Sequence, residues 1–243
     1  MAESRGPGTS QRMRPQSLTP LFAQATSLPG IGPRLGKLVE KLAGPLVVDL
    51  LWHLPVAVID RRNAPELSGA RAGEVATLTV TVDEHLVPHS PRQPYRVWCS
   101  DETGRLCLTY FNGREDYLKK LLPMGEIRVV SGRVELYQGE VQITHPDHVV
   151  PLNQRDQILR VEPVYGLTAG LTQRPLQKAI ATAVERAPDL DEWQDATFVA
   201  RNRWADWKSS LARAHAPTDE ADLAPLDPAR ARLAFDELLA SQL

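Results

Sequence analysis

The chain has 243 residues, 42% hydrophobic and 24% charged, the balance of a soluble globular protein with room for a sizeable core. No apolar run approaches the roughly 20 residues of a membrane-spanning helix, and the opening MAESRGPGTSQRMRPQ lacks the apolar stretch of a secretory signal. The formal charge of −2 is unevenly spread, with eight Lys/Arg against four acids in residues 1–62, thirteen against fourteen in 63–184 and seven against twelve in 185–243, so phosphate contacts belong to the first two segments.

Residues 1–16 read as a disordered lead-in, and residues 17–62 as helical. Thr19 can cap a first helix, Pro20 suits its first position, and Leu21, Phe22, Ala25 and Leu28 follow at helical spacing. LPGIG then leads into a second helix with Leu35, Leu38, Val39 and Leu42 on its apolar face and Gly44 at its end. Pro45 to Pro55 makes a third helical piece.

Residues 63–152 switch to period two. VATLTVTVDEHLV alternates, with Leu78, Val80 and Val82 on one face and Thr77, Thr79 and Thr81 on the other. YRVWCS and RLCLTYF are strands joined by the tight turn DETG, and Gly113 to Pro123 is an amphipathic helix. EIRVVSGRVELY and EVQITHPDHVV are two more strands about a turn at Gln138 and Gly139, with a bulge expected at Gly132. Three strands, a helix and two strands is the order of an OB-fold; an SH3-like barrel lacks the helix, and an immunoglobulin sandwich needs about seven strands. The expected class is therefore α+β: a five-stranded OB-fold Greek-key barrel flanked by an N-terminal helix-hairpin-helix-like segment and C-terminal helices.

Residues 153–216 return to helix, first with Leu176, Ile180 and Val184 on a stripe, then with Trp204, Trp207 and Leu211. Residues 217–243 read as a linker and a last helix, with Asp227 as cap and Pro228 in the first position. Leu233, Leu238, Leu239 and Leu243 leave that helix apolar at the chain's end, as in a truncated chain, one missing a partner, or one whose last helix folds back on its own domain.

Catalytic chemistry is not legible. GIGPRLGKL fails as a phosphate loop of the form GxxxxGK followed by Ser or Thr, because Ile31 stands where the first glycine belongs and Leu38 follows Lys37. His145 and His148 would not converge on a metal in extended chain, and His53, His85, His89 and His215 are isolated, so each histidine reads as surface or packing. Cys99 and Cys107 cannot make a disulfide framework or a zinc site; they read as small core residues in a cytoplasmic chain. No catalytic residue, metal or cofactor is expected.

Two constellations remain. In LPGIGPRLGKLVEKL, Gly30 and Gly32 allow close approach of two helices, backbone N–H groups at the second helix face outward, and Arg34, Lys37 and Lys41 add charge for a phosphate. Such hairpins also serve as structural connectors. In the barrel, strand alternation buries Tyr110 and exposes Phe111; if the strand ends there, both rings project from its tip. Arg92, Tyr95, Arg96, Trp98 and Arg114 lie on or beside the same hairpin, the face with which small OB-folds bind single strands.

LPGIGPRLGKLVEKL, DLLWHLPVAVIDRR, SDETGRLCLTYFN, GEVQITHPDHVV, VEPVYGLTAGLTQRPLQKAI and RARLAFDELLASQL together resemble, in this order, the amino-terminal region of the RecG branch-migration helicases. The resemblance runs from about Leu28 to Leu243. It implies that the barrel is a wedge domain standing at the branch point of a stalled fork or Holliday junction. It also implies that Tyr110 and Phe111 stack on bases flanking the junction, while the loop from Pro91 to Arg96 matches the wedge hairpin only loosely. The family's ATP- and magnesium-dependent motor would follow RARLAFDELLASQL and has no counterpart here. The implied partners are branched or single-stranded DNA and helicase motor domains in cis or in trans. A stand-alone OB protein for single-stranded nucleic acid, or a module that docks a motor, are the alternatives.

Overall fold

A computed structural model describes residues 15–90 and 92–242. The expected lead-in, apart from Pro15 and Gln16, lies outside these residues, as do Pro91 and Leu243. In chain order the regular elements are α1 (Pro33–Leu42), α2 (Val47–Leu51), β1 (Ala57–Asp60), β2 (Val75–Leu86), β3 (Tyr95–Ser100), β4 (Arg105–Tyr110), α3 (Glu115–Leu121), β5 (Ile127–Arg133) and β6 (Glu135–Tyr137). They continue with β7 (Glu140–Thr144), β8 (His148–Pro151), α4 (Arg155–Ile158), β9 (Val161–Val164), α5 (Gln173–Glu185), α6 (Ala196–Asn202), α7 (Trp207–His215) and α8 (Pro228–Ala240). The class is α+β. The chain forms two compact units: one of residues 58–162, the other of residues 1–57 with 163–243.

In the helical unit, the first expected helix is instead a pair of 3-10 turns, Gln16–Phe22 and Ala25–Ser27. Pro20 has no N–H to give a helix, and the backbone finds partners elsewhere: Ala25 donates to Pro45 O at 2.7 Å and Ala23 O accepts from Val47 at 2.9 Å. The helix expected to carry both Trp204 and Trp207 also breaks. Arg203 closes α6 in the left-handed region (φ +56°), and Asp206 starts α7 by accepting the Ser209 N–H at 2.8 Å. Of the stripe expected on α5, Leu176 and Ile180 are buried together with Ala179 and Ala183 while Val184 is half-buried, and Asp227 caps α8. Arg232 on α8 is wholly buried, held by both oxygens of Glu192 (2.8 and 2.9 Å) and by Asp236 (2.7 Å), with the Trp193 ring at 5.1 Å.

In the other unit, seven strands form one mixed sheet in the order β6-β7-β4-β3-β2-β5-β8, while β1 pairs with β9. Two of the five expected strands each divide. Val134 separates β5 from β6, and β7 is separated from β8 at His145, whose φ of +48° precedes Pro146. Gln138 and Gly139, both at positive φ, make the hairpin turn expected between β6 and β7. Leu78, Val80, Val82, Val97, Cys99, Leu106 and Leu108 line the core as alternation requires. Burial pushes the Cys99 thiol up to about 12. Thr77 departs from the outward reading: it is 1% exposed, and its hydroxyl donates to Arg61 O and pairs with Ser131.

Gly132 is not a bulge. It pairs in unbroken register with Ala76, and the irregularity in β2 falls between Val82 and Glu84. Glycine is required there because a Cβ would lie 2.7 Å from Ile143 Cγ2 and 3.4 Å from Pro146 Cα. Gly132→Ala is therefore expected to cost about 1–3 kcal/mol by overpacking, read as a lower denaturant midpoint with an unchanged slope.

Arg61, 2% exposed, organises this side of the sheet. It donates to Glu162 (2.6 Å), Ser131 (3.1 Å) and Asp147 (3.0 Å), and the second Glu162 oxygen meets His148 Nε2 at 2.9 Å. Burial alone would raise the Glu162 pKa; the bonds from His148 and Arg61 outweigh it and hold the carboxyl at about 2.

Candidate nucleic-acid interface

In the β3–β4 hairpin β3 alternates in burial, whereas every residue of β4 after Arg105 is buried. Tyr95, Val97 and Cys99 face Tyr110, Leu108 and Leu106 across the ladder, and these six are buried. The complementary pairs, Arg96 with Thr109, Trp98 with Cys107 and Ser100 with Arg105, therefore occupy the outer face. Arg105 lies diagonally from Trp98 and places its guanidinium 4.6 Å from the ring centroid, a cation–π contact. Arg96 is half-buried, and its Nε has no hydrogen-bond partner among the described residues.

At the far end of β4 the two aromatic candidates part. Tyr110 is in the core at 8% exposure, whereas Phe111 is 53% exposed and Asn112 turns the chain away at φ +57°. Of the implied stacking pair, only Phe111 presents its ring to solvent; Tyr110 follows the alternation. The Tyr110 hydroxyl is buried without a hydrogen-bond partner among the described residues, and burial pushes its pKa upward. Tyr110→Phe removes that unsatisfied group and keeps the ring, so stability is expected to stay level or rise by about 1 kcal/mol, measured by thermal melting.

Because β7 runs parallel to β4, its own end arrives beside Phe111 and brings His145. His145 donates its backbone N–H to Thr109 O at 2.9 Å, and its Nε2 accepts the Phe111 N–H at 3.1 Å. Its ring centroid is 5.9 Å from that of Tyr110, edge-on, and 5.9 Å from that of Phe111. Arg114 precedes α3 three residues beyond Phe111, and Arg92 sits in the turn before β3; both are exposed. Phe111, Arg114, Arg92 and Arg96 thus gather toward one end of the hairpin, while Trp98 and Arg105 lie further along its face.

Sequence reasoning passed over Arg105 and His145. Arg105 was accessible from the DETG turn, which sets Ser100 opposite Arg105 and so makes Trp98 its diagonal neighbour. His145 was weighed only with His148, because its partners are 34 and 35 residues away in the chain.

Gly30, Gly32, Arg34 and Lys37 belong to the helical unit. Gly30 needs its left-handed φ of +86°, but Gly32 is extended, and a Cβ on either would meet nothing within 4 Å. The close approach expected of them falls instead at Gly36, where a Cβ would come within 2.5 Å of the Thr26 methyl. Since the element before LPGIG is a 3-10 turn, this is a turn–helix joint and not a pair of α-helices. Arg34 and Lys37 are exposed on α1 and line a cleft of about 530 Å³ with Leu38 and Gly170.

Residues 27–186 match the family model described as RecG wedge domain. The chain is 25% identical over 90% of its length to the ATP-dependent DNA helicase RecG of Pasteurella multocida, covering 32% of that protein. It is 27% identical over 90% of its length to that of Haemophilus influenzae, again covering 32%. A solved structure described as RecG bound to three-way DNA junction is similar with a TM-score of 0.75 and 26% identity, over 92% of this chain and 30% of that one. The chain thus spans about a third of the length of these curated relatives.

Proposed function

The chain belongs to the RecG wedge domain family, and from that premise we propose that it is the DNA-binding wedge region of a branch-migration helicase acting on stalled forks and Holliday junctions in repair and recombination. The observation that carries this reading is Phe111: a large aromatic ring, half exposed, at the end of a core strand, with Arg114 three residues further along the chain and Arg96 and Arg92 on the paired strand and in the turn before it. An exposed ring in a basic setting stacks on any base without regard to sequence, which suits a protein that recognises branched structure.

The sheet unit is read as an OB-type barrel. β5 pairs with β2 and β6 pairs with β7, yet β5 and β6 are one run of chain interrupted at Val134 alone. That run would join the two ends of the ladder into a barrel of five strands, with α3 between the third and fourth. β8 is then an addition alongside β5. On the outer face, Trp98 with Arg105 offers a second stacking platform for single-stranded DNA. Arg34 and Lys37 on α1, with Gly30 and Gly32 in the turn before it, would supply phosphate contacts. The ATP-dependent step would belong to motor domains in cis or in trans, in the cytoplasm, and this chain would need no cofactor of its own.

The test is a comparison of fluorescently labelled three-way junction, fork and blunt duplex, titrated with the purified chain at several salt concentrations. Branched DNA is expected to bind more tightly at every salt, with affinity falling log-linearly as salt rises because phosphate contacts release counterions. Equal affinity for fork and duplex at matched salt would leave only a generic basic surface.

A further inference from the structure

We propose that His145 is the positioning residue of the wedge contact, holding Phe111 outward in the orientation that stacks on a base. The assignment rests on the reading that Phe111 stacks. Phe111 is one residue past the last ladder position of β4, where the strand no longer holds the backbone. Phe111 donates its N–H to His145 Nε2 at 3.1 Å, and the two rings lie 5.9 Å apart. Accepting through Nε2 requires the neutral imidazole with its proton on Nδ1. The same imidazole meets the Tyr110 ring edge-on, so it lies against both the buried and the exposed member of the aromatic pair.

His145 is itself held firmly. Its N–H extends the β4–β7 ladder by bonding Thr109 O at 2.9 Å. Its backbone adopts a left-handed φ of +48°, a conformation that a side-chain-bearing residue keeps only where its surroundings impose it. The next residue, Pro146, is seated against Gly132, where no side chain intervenes. Asp147 is tied to the buried Arg61 at 3.0 Å. A continuous support therefore runs from Arg61 through Asp147, Pro146 and His145 to Phe111, connecting the interior of this unit to the exposed ring.

The test measures fork affinity for the parent chain, His145→Ala, His145→Gln and Phe111→Ala, and for the double variant Phe111→Ala/His145→Ala. His145→Ala is expected to weaken fork binding about three- to tenfold, the scale of one lost hydrogen bond. His145→Gln, whose side-chain oxygen can reach the place of Nε2, recovers much of the loss. In the Phe111→Ala background His145→Ala adds nothing further. In the DNA-free protein, hydrogen exchange at the Phe111 amide accelerates in His145→Ala and is restored in His145→Gln. An undiminished His145→Ala effect in the double variant would mean that the imidazole touches DNA itself, and would overturn the assignment. So would normal fork binding by His145→Ala while Phe111→Ala binds weakly, or an unchanged Phe111 amide. Normal fork binding by Phe111→Ala instead overturns the stacking reading, and the positioning role falls with it.

Discussion

Phe111→Ala is expected to weaken binding to a forked DNA by about 5- to 150-fold, since base–aromatic stacking contributes roughly 1–3 kcal/mol per base. Binding to blunt duplex should change little, because the phosphate contacts proposed for Arg34, Lys37 and the arginines around the hairpin are untouched. The melting temperature should also hold, since a ring 53% exposed at a strand end leaves no core cavity when removed. Tyr110→Ala is the contrasting control: at 8% exposure its loss opens a cavity, and melting falls whatever happens to DNA binding. A Phe111→Ala protein that melts normally and still binds forks like the parent would move the DNA face elsewhere, first to Trp98 and Arg96.

Arg61→Ala should produce the largest loss of stability. Deleting one member of a buried ion pair leaves the other charged and unsolvated, at a cost of roughly 3–5 kcal/mol. Here the residue left behind is Glu162, 5% exposed, and Ser131 and Asp147 lose their bonds as well. The acid limb of the stability curve gives an independent reading. Glu162 is held at about 2 against an ordinary value of 4.5, so its contribution is fully present above pH 4.5 and is lost as pH falls toward 2. That depression corresponds to about 3 kcal/mol at neutral pH. In Arg61→Ala the decline in stability between those pH values should flatten, measured as denaturant midpoints at pH 7 and pH 3. A parent-like midpoint at pH 7 would remove Arg61 from the centre of the unit.

What the sequence determined by itself is whatever depends on near neighbours. Period-two alternation located β2, β3 and β4 and separated a buried Tyr110 from an exposed Phe111, because successive side chains in a strand point to opposite faces. Local capping chemistry located the start of α8 at Asp227, and the glycine turn located the β6–β7 hairpin. Only the tertiary structure decided the rest. Gln16–Phe22 is not an α-helix, because the segment that follows takes its backbone partners from residues 45–47. Gly132 looked like a bulge, but it is a glycine on account of Pro146 and Ile143. Arg61 and Glu162, 101 residues apart, and Arg232 and Glu192, 40 apart, are brought together only by the fold. His145 read as surface or packing for the same reason. A side chain's periodicity is written in its immediate neighbours, whereas its hydrogen-bond partner is chosen by which distant strands lie side by side.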